Sequence, residues 1–388
     1  NLRIDYRTGG HSSGPPPEQV SRADRQRNLD WIDLAFGRGL AKQGEFSEQL
    51  IHDFDWKQWC SQQNATSLAI AKDATAIECI KWSLGQAPKT LSPVEQAEFL
   101  TDAESSLMTH DRWTPKGVHR VPIHFGHGVR GNLYFKDGAP TPMPVVVWLH
   151  PLSYHSGYNE GYGVQGTTVY QRLAENGFAV IAYDQCGFGL RLLEGRDFYK
   201  NHPRWSKLGR MVMDARAAVS FAVEGRGAAK SAIPEFDTKR VFLLGYSSGA
   251  LTAMYAGALD DRVAGVACFS GWTPLRNAGN ARVTGGNRRL WELHALQPRL
   301  GLFNGRESEM PFDYDDVFGL VLPKPCLVVT PKRDRFTDFS AVVEVIDKVR
   351  SAKPRIAKGS FAWLAPDVTN RFQADQHQEF INWTKTLE

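Results

Sequence analysis

Cysteine is scarce in this sequence and does not organise: there are five residues, an odd number, and no Cys-x-x-Cys pair among them. A thiolate zinc site needs that spacing and a complete disulfide framework needs an even count, so neither is indicated. Cys268 and Cys326 fall inside apolar runs that read as strands and are expected in the core. Cys60 and Cys79 could pair in an exported protein, with two buried thiols as the alternative. Long uncharged apolar runs are also missing, which excludes a membrane-spanning helix. Charge of one sign is nowhere concentrated: 46 basic residues face 42 acidic ones, for a formal charge of +4 spread along the chain. Nucleic-acid binders cluster Lys and Arg, so a nucleic-acid partner is not expected. No methionine stands at position 1, which fits a cleaved leader or a trimmed chain and leaves exported and cytoplasmic locations both open.

What is present is enough for a large core. The 388 residues, 42% hydrophobic, suggest one large domain plus an appendage. Residues 1 to about 20 are rich in Gly, Ser and Pro and read as an irregular arm. From about 21 to 113 the signals are helical: Ile70, Ala74, Ile77, Ile80 and Leu84 recur at steps of three and four until Gly85 stops the pattern. Near residue 118 the period becomes two. Val121, Ile123 and Phe125, then Val129, Leu133 and Phe135, flank a Gly126-His127-Gly128 turn and predict a β-hairpin. Continuous apolar runs follow at Val145 to Leu149, Ala179 to Tyr183, Val241 to Leu244, Val263 to Phe269 and Cys326 to Thr330, separated by helical stretches. Strands buried on both faces read this way, and their alternation with helices implies a mostly parallel sheet with right-handed crossovers. The expected class is α/β, with helices on both faces of the sheet, in a domain over 118–388. An N-terminal arm and helical appendage occupy 1–117.

The pattern Gly-x-Ser-x-Gly occurs as Gly245-Tyr246-Ser247-Ser248-Gly249, directly after an apolar strand and directly before the small-residue helix start at Ala250. A strand-to-helix turn this sharp strains the backbone of its central residue, and the flanking glycines remove side chains that would clash. The Ser247 hydroxyl is then lifted above the sheet as a candidate nucleophile. A second match, Gly10-His11-Ser12-Ser13-Gly14, has no strand before it and three prolines after it, so no helix can start there.

A serine nucleophile also needs amide donors for the oxyanion, a base and an acid. The Ser248 N–H at the helix start is one expected donor. The other is expected from the loop His150-Pro151-Leu152-Ser153-Tyr154, where Pro151 has no N–H and Leu152 is next. His150 is read as a loop-holding residue, and Asp184 likewise. Asp334, in the loop after the Cys326 strand, is the candidate acid, with Asp338 in reserve; an ion pair to Arg333 or Arg335 is its alternative role. Two histidines lie downstream of Ser247. His377 fits the chain order Ser, Asp, His, while His294 leaves the sheet at the edge where the site should open. Both stay candidates, as does ordinary packing for either.

In these residues the chain resembles the α/β-hydrolase superfamily, and within it large bacterial esterases related to dienelactone hydrolase, acetyl xylan esterase and glucuronoyl esterase. The resemblance covers about 118–388 and rests on Pro144 to His150, Gly177 to Gly189, the Gly245 turn and Leu322-Pro323-Lys324-Pro325. It implies the α/β-hydrolase fold and cofactor-free hydrolysis of carboxylic esters, including acyl groups on carbohydrates. The stretch Asn370-Arg371-Phe372 stands where such enzymes usually read His-x-Phe before the last helix. Phe188, Phe198, Tyr199 and Trp205, with Trp272, Trp291 and Phe303, are expected to wall the pocket or to fill a core beneath a cap. Two other functions stay open: an amidase or peptidase on the same scaffold, and a hydrolase-like binding protein without turnover.

Overall fold

The computed structural model describes residues 54–89, 97–99, 116–154, 156–159, 167–224, 233–279, 284–322, 324–352 and 360–387. All belong to one compact unit, Phe54–Glu388. The N-terminal arm and its Gly10–Gly14 motif lie outside the described residues.

Among the described residues nine strands form one sheet: β1 (Ala97–Phe99), β2 (Val118–Phe125), β3 (Val129–Lys136), β4 (Met143–Leu149), β5 (Ala179–Tyr183), β6 (Phe236–Tyr246), β7 (Gly265–Phe269), β8 (Cys326–Val329) and β9 (Phe361–Leu364), in the order β1-β2-β3-β5-β4-β6-β7-β8-β9. The β2–β3 hairpin pairs antiparallel through the expected turn, and β3 pairs antiparallel with β5. From β5 to β9 every neighbouring pair is parallel. The chain leaves β4 toward β5 on one side and returns as β6 on the other. That reversal opens a crevice at the carboxyl ends of β4 and β6, where ligands of open α/β sheets bind.

Each central strand is apolar throughout because it faces a core on both sides. Val145, Val147 and Leu149 of β4 enter one apolar cluster, and Val146 and Trp148 enter the other; Val241 and Leu243 of β6 oppose Phe242 and Leu244 in the same way. This is the two-residue period of a strand written into a continuous hydrophobic run. The first cluster is closed by α1 (Trp56–Ser61), α2 (Ala76–Leu84), α4 (Lys207–Glu224), α5 (Ser248–Leu259), α6 (Tyr314–Val321) and α7 (Phe339–Ala352). The second is closed by α3 (Val169–Glu175) and α8 (Ala374–Lys385).

The helix expected from Ile70 to Leu84 is shorter than its apolar spacing. It starts after Thr75, whose hydroxyl and N–H close a capping box with Glu78. That box satisfies the first free amides of a helix, so it fixes the start more strongly than the spacing of Ile70 and Ala74 extends it. Cys60 and Cys79 are both free thiols.

Two polar features are buried in this framework. Arg191 meets Asp214 at 2.8 Å and Glu194 at 2.7 Å, while Arg210 approaches Glu194 at 3.2 Å and Asp214 at 3.3 Å. Arg191 also donates to the Asp184 carbonyl and Arg210 to the His127 carbonyl, so the cluster ties the segment after β5 to α4 and to the hairpin turn. Removing one ion from such a cluster strands its partner. Asp214→Asn is expected to lower stability by about 3–5 kcal/mol, read from urea denaturation midpoints.

His377 sits on α8, packed against Phe372 at 4.7 Å between ring centroids. Neither ring nitrogen has a hydrogen-bond partner among the described residues. Burial, with the Arg172 charge, pushes its pKa down to about 4, and burial likewise pushes that of His150 down to about 4. An exposed imidazole in the unfolded chain titrates near 6.5. Between those values the unfolded chain holds more protons than the folded one, so stability falls as the pH drops from about 6.5 to about 4. His377→Leu removes one of these two groups and its unpaired nitrogens. Its stability is therefore expected to fall less steeply over that window than that of the parent protein, as measured by thermal unfolding across a pH series.

Candidate active site

The site is built where β6 turns into α5. Ser247 has φ 56° and ψ −120°, a left-handed conformation that costs a non-glycine residue about 1–3 kcal/mol. Its N–H donates to the Phe269 carbonyl at 2.9 Å, fastening the turn to β7. The glycines are obligatory. A Cβ on Gly245 would lie 2.1 Å from the Gly249 carbonyl oxygen, and one on Gly249 would lie 1.9 Å from that of Leu149. Helix and strands therefore approach more closely than any side chain permits, and the strain at Ser247 is held in place from both sides.

Ser247 lines a cleft of about 550 Å³, open solvent included, together with Leu152 and Ser248. The Ser248 amide is in the first turn of α5, where no intrahelical acceptor exists. The loop bearing Leu152 is pinned by His150, whose Nε2 accepts from the Gln185 N–H at 2.9 Å while Nδ1 faces the Pro151 carbonyl at 2.7 Å. These two partners fix the tautomer with the proton on Nδ1, and the low pKa keeps the ring neutral. Gln185 closes the brace by donating to the His150 carbonyl and accepting from Thr252 of α5. Asp184 accepts from the Tyr158 and Leu190 amides at 2.9 and 2.8 Å, holding two loops beside the cleft. Both residues occupy the loop-holding positions expected of them.

Of the two candidate bases, His294 lines the cleft with Ser247, and its Nδ1 lies 2.8 Å from the Tyr154 hydroxyl. His377 is not among the residues that line the cleft, being buried behind Phe372 on α8. Asp334 is buried after β8, but its carboxylate accepts from the Phe336 N–H at 2.9 Å and the Thr337 hydroxyl at 3.2 Å, within its own loop. Arg333 pairs with Asp367 and Arg335 lies over Phe336, so neither is its ion-pair partner. Asp338 accepts from Ser340 and the Ala341 N–H and caps α7.

Asn370, in the loop between β9 and α8, also lines the cleft and accepts from the Tyr246 hydroxyl at 2.7 Å. Sequence reasoning marked its stretch only as lacking a histidine and gave Asn370 and Tyr154 no role. The available signals were that Tyr246 adjoins Ser247 and that Tyr154 sits in the loop that carries Leu152. Of the aromatic residues expected to wall the cleft or to fill a core, Trp272 lines the cleft. Phe188, Phe198, Tyr199 and Trp205 are buried in the main core, and Trp291 packs edge-on to Trp56 at 5.1 Å. Tyr314 and Phe336 supply the remaining rings, and Asn287, Thr273, Thr337 and Arg289 the polar lining.

Comparison with known proteins follows this geometry. Residues 145–318 match the family model Hydrolase_4, serine aminopeptidase S33, a span that includes Ser247 and His294 and stops before Asp334, Asn370 and His377. No curated protein sequence matches the chain. Among solved structures, a glucuronoyl esterase from Solibacter usitatus superposes with a TM-score of 0.56 at 16% identity, over 86% of this chain and 94% of that one. A promiscuous esterase from a marine bacterial metagenome gives a TM-score of 0.56 at 15% identity, over 85% and 92%. Acetyl xylan esterase 1 from Thermoanaerobacterium gives 0.52 at 14% identity, over 84% and 99%. With the sheet order, the reversal at β4 and the strained turn at Ser247, these likenesses establish that the chain has the α/β-hydrolase fold.

Proposed function

We propose that the protein hydrolyses carboxylic esters through an acyl-enzyme on Ser247, with His294 as proton acceptor. The observation that carries this reading is that a serine in the left-handed strand-to-helix turn and a histidine line one cleft. In the first half-reaction Ser247 Oγ bonds to the ester carbonyl carbon as its proton passes to the imidazole of His294. The carbonyl oxygen takes the negative charge, facing the Leu152 and Ser248 amides. The bond to the alcohol oxygen then breaks, and the alcohol leaves with the proton from His294. Water repeats the sequence on the acyl group and frees the serine. No step needs a metal or cofactor. In this reading Asp334 holds the loop that presents Phe336 and Thr337 to the cleft.

The substrates suggested are esters of carbohydrates. Solved relatives in fold carry the names glucuronoyl esterase and acetyl xylan esterase, and the cleft mixes the Trp272, Tyr314 and Phe336 rings with hydrogen-bonding side chains, a lining suited to a sugar. One observation favours a second reading, a binding protein without turnover: an amide that cannot accept a proton, that of Asn370, lines the cleft beside the serine. A reactive serine separates the two. Fluorophosphonate is expected to label Ser247 in the folded protein, and silence would favour the binding reading.

Hydrolysis of p-nitrophenyl acetate tests the assignment of roles. Ser247→Ala is expected to lose at least on the order of 10³-fold in kcat, and His294→Ala roughly 10²- to 10⁴-fold. His377→Leu is expected to keep the parent rate. Loss of activity in His377→Leu with retention in His294→Ala would overturn the choice of base. Turnover of a peptide anilide at a rate comparable to that of the ester would move the assignment to an amidase.

A further inference from the structure

We propose that Asn370 is a specificity-determining residue whose amide N–H groups hydrogen-bond a substrate oxygen outside the ester group. The inference rests on the reading of Ser247 as nucleophile and deepens it, by naming what the substrate must carry near the ester. Asn370 is half-buried and lines the cleft with Ser247. Its Oδ1 accepts from the Tyr246 hydroxyl at 2.7 Å, and its side chain makes no other hydrogen bond among the described residues. The carbonyl end is therefore spent inside the protein, and Nδ2 is the end left for whatever occupies the cleft.

The amide is fixed in place by the strands that form the nucleophile turn. Phe372, two residues on, stacks on Trp148 at 5.2 Å and on Tyr246 at 5.1 Å, and meets Phe269 edge-on at 4.9 Å. Those rings stand at or next to the carboxyl ends of β4, β6 and β7. The Arg333 N–H donates to the Val368 carbonyl at 3.1 Å, which ties the same loop to the one after β8. Tyr246 is also the residue before Ser247, so the acceptor end of the amide is bonded to the turn itself. A donor held this firmly is pre-organised, and binding costs it little freedom.

A neutral carboxamide cannot accept a proton, so Asn370 takes no part in the proton transfers of the proposed mechanism. Nor are the oxygens of the ester left for it. In that mechanism the carbonyl oxygen faces the Leu152 and Ser248 amides, and the alkoxy oxygen receives the proton from His294. The donor that remains matches a hydroxyl or ring oxygen beside the ester, which a carbohydrate carries and a simple alkyl or aryl ester lacks. A site built to bond such an oxygen discriminates against substrates without it, because its polar group is then left unpaired.

The test uses Asn370→Asp in the full chain, because it keeps an acceptor for the Tyr246 hydroxyl while removing the donor. Asn370→Ala removes both, and takes its place where thermal unfolding shows the aspartate variant to be misfolded. Rates are compared on p-nitrophenyl acetate, whose oxygens near the reacting carbon are those of the ester alone, on acetylated xylobiose, with further oxygens on the alcohol half, and on the methyl ester of glucuronic acid, with them on the acyl half. Relative to p-nitrophenyl acetate, kcat/KM for at least one sugar ester is expected to fall roughly 3- to 12-fold, chiefly through KM, the effect of one neutral hydrogen bond. The ester affected shows which half bears the oxygen. A relative fall below threefold for both overturns the proposal, since Asn370 then serves only to hold its loop to Tyr246, and so does a parent protein that cleaves p-nitrophenyl acetate but neither sugar ester. If the parent cleaves none of the three, the reading of Ser247 fails instead, and calorimetric binding of the two sugar esters judges the contact: weaker binding in Asn370→Asp supports it, and equal or absent binding overturns it.

Discussion

The backbone of Ser247 is the constraint on which the rest of the site depends. A left-handed serine is unstable on its own and persists because β6 and α5 are pressed too close together to permit another path. That closeness requires hydrogen at two Cα positions, since a methyl on Gly245 or Gly249 would sit about 2 Å from a carbonyl oxygen. Sheet closeness, helix start and hydroxyl position are thus one geometric solution. The same turn puts the Ser248 amide, with no helical partner, next in the chain to Ser247 at the start of α5, so the serine and the amide proposed for the carbonyl oxygen of a substrate cannot be placed separately.

Around the turn the protein uses polar groups as fasteners. His150, Gln185 and Thr252 run from the β4 loop through the β5 loop into α5, and each bond is made within the low-dielectric interior, where an unmade one would be costly. The Arg191, Glu194, Asp214 and Arg210 cluster fixes the outer side of the same loops. Its charges carry a desolvation penalty that hydrophobic residues would avoid. What the cluster supplies is direction: a guanidinium fork permits few arrangements of the segment that backs His150 and Tyr154.

The sheet and the turn were legible because they are local. A strand buried on both faces must be apolar throughout, as Ala179 to Tyr183 is, and a strained turn must carry its glycines in the adjacent sequence. Which histidine shares the cleft was not legible for the opposite reason. His294 and His377 each lie downstream of Ser247, and only the path of the excursion after β7 brings one to the cleft that Ser247 lines, while the other packs behind Phe372. Aromatic content left pocket wall and core equally open. Phe198, Tyr199 and Trp205 leave a strand end on the catalytic side, but the cluster they form with Phe54 and Trp59 buries them, and burial is the stronger drive for large rings. Asn370 and Tyr154 escaped because an amide and a phenol carry no motif. Only the fold sets them opposite Tyr246 and His294.

The placement of His294 on an excursion, and not on a strand end, gives the segment Phe54–Lys89 a part in the site. The excursion from Arg289 to Phe303 needs support that the sheet does not give it, and that support comes from α1 and α2. Trp56 donates its indole N–H to the Pro298 carbonyl at 2.8 Å and packs on Trp291. Arg299 reaches the Trp82 carbonyl and lies over the Trp82 ring, and Gln297 donates to Ser83. Gly301 admits the Trp56 ring where a Cβ would not fit. These contacts cross more than 200 positions of sequence and end within a few residues of the histidine. Ser247 and His294 therefore have different foundations: the first is set by sheet and helix closeness, the second by tryptophans of the segment Phe54–Lys89 packed against an irregular turn. Geometry between the two is only as rigid as the weaker support, so the Trp56 and Trp82 contacts bear on how firmly His294 is held relative to Ser247.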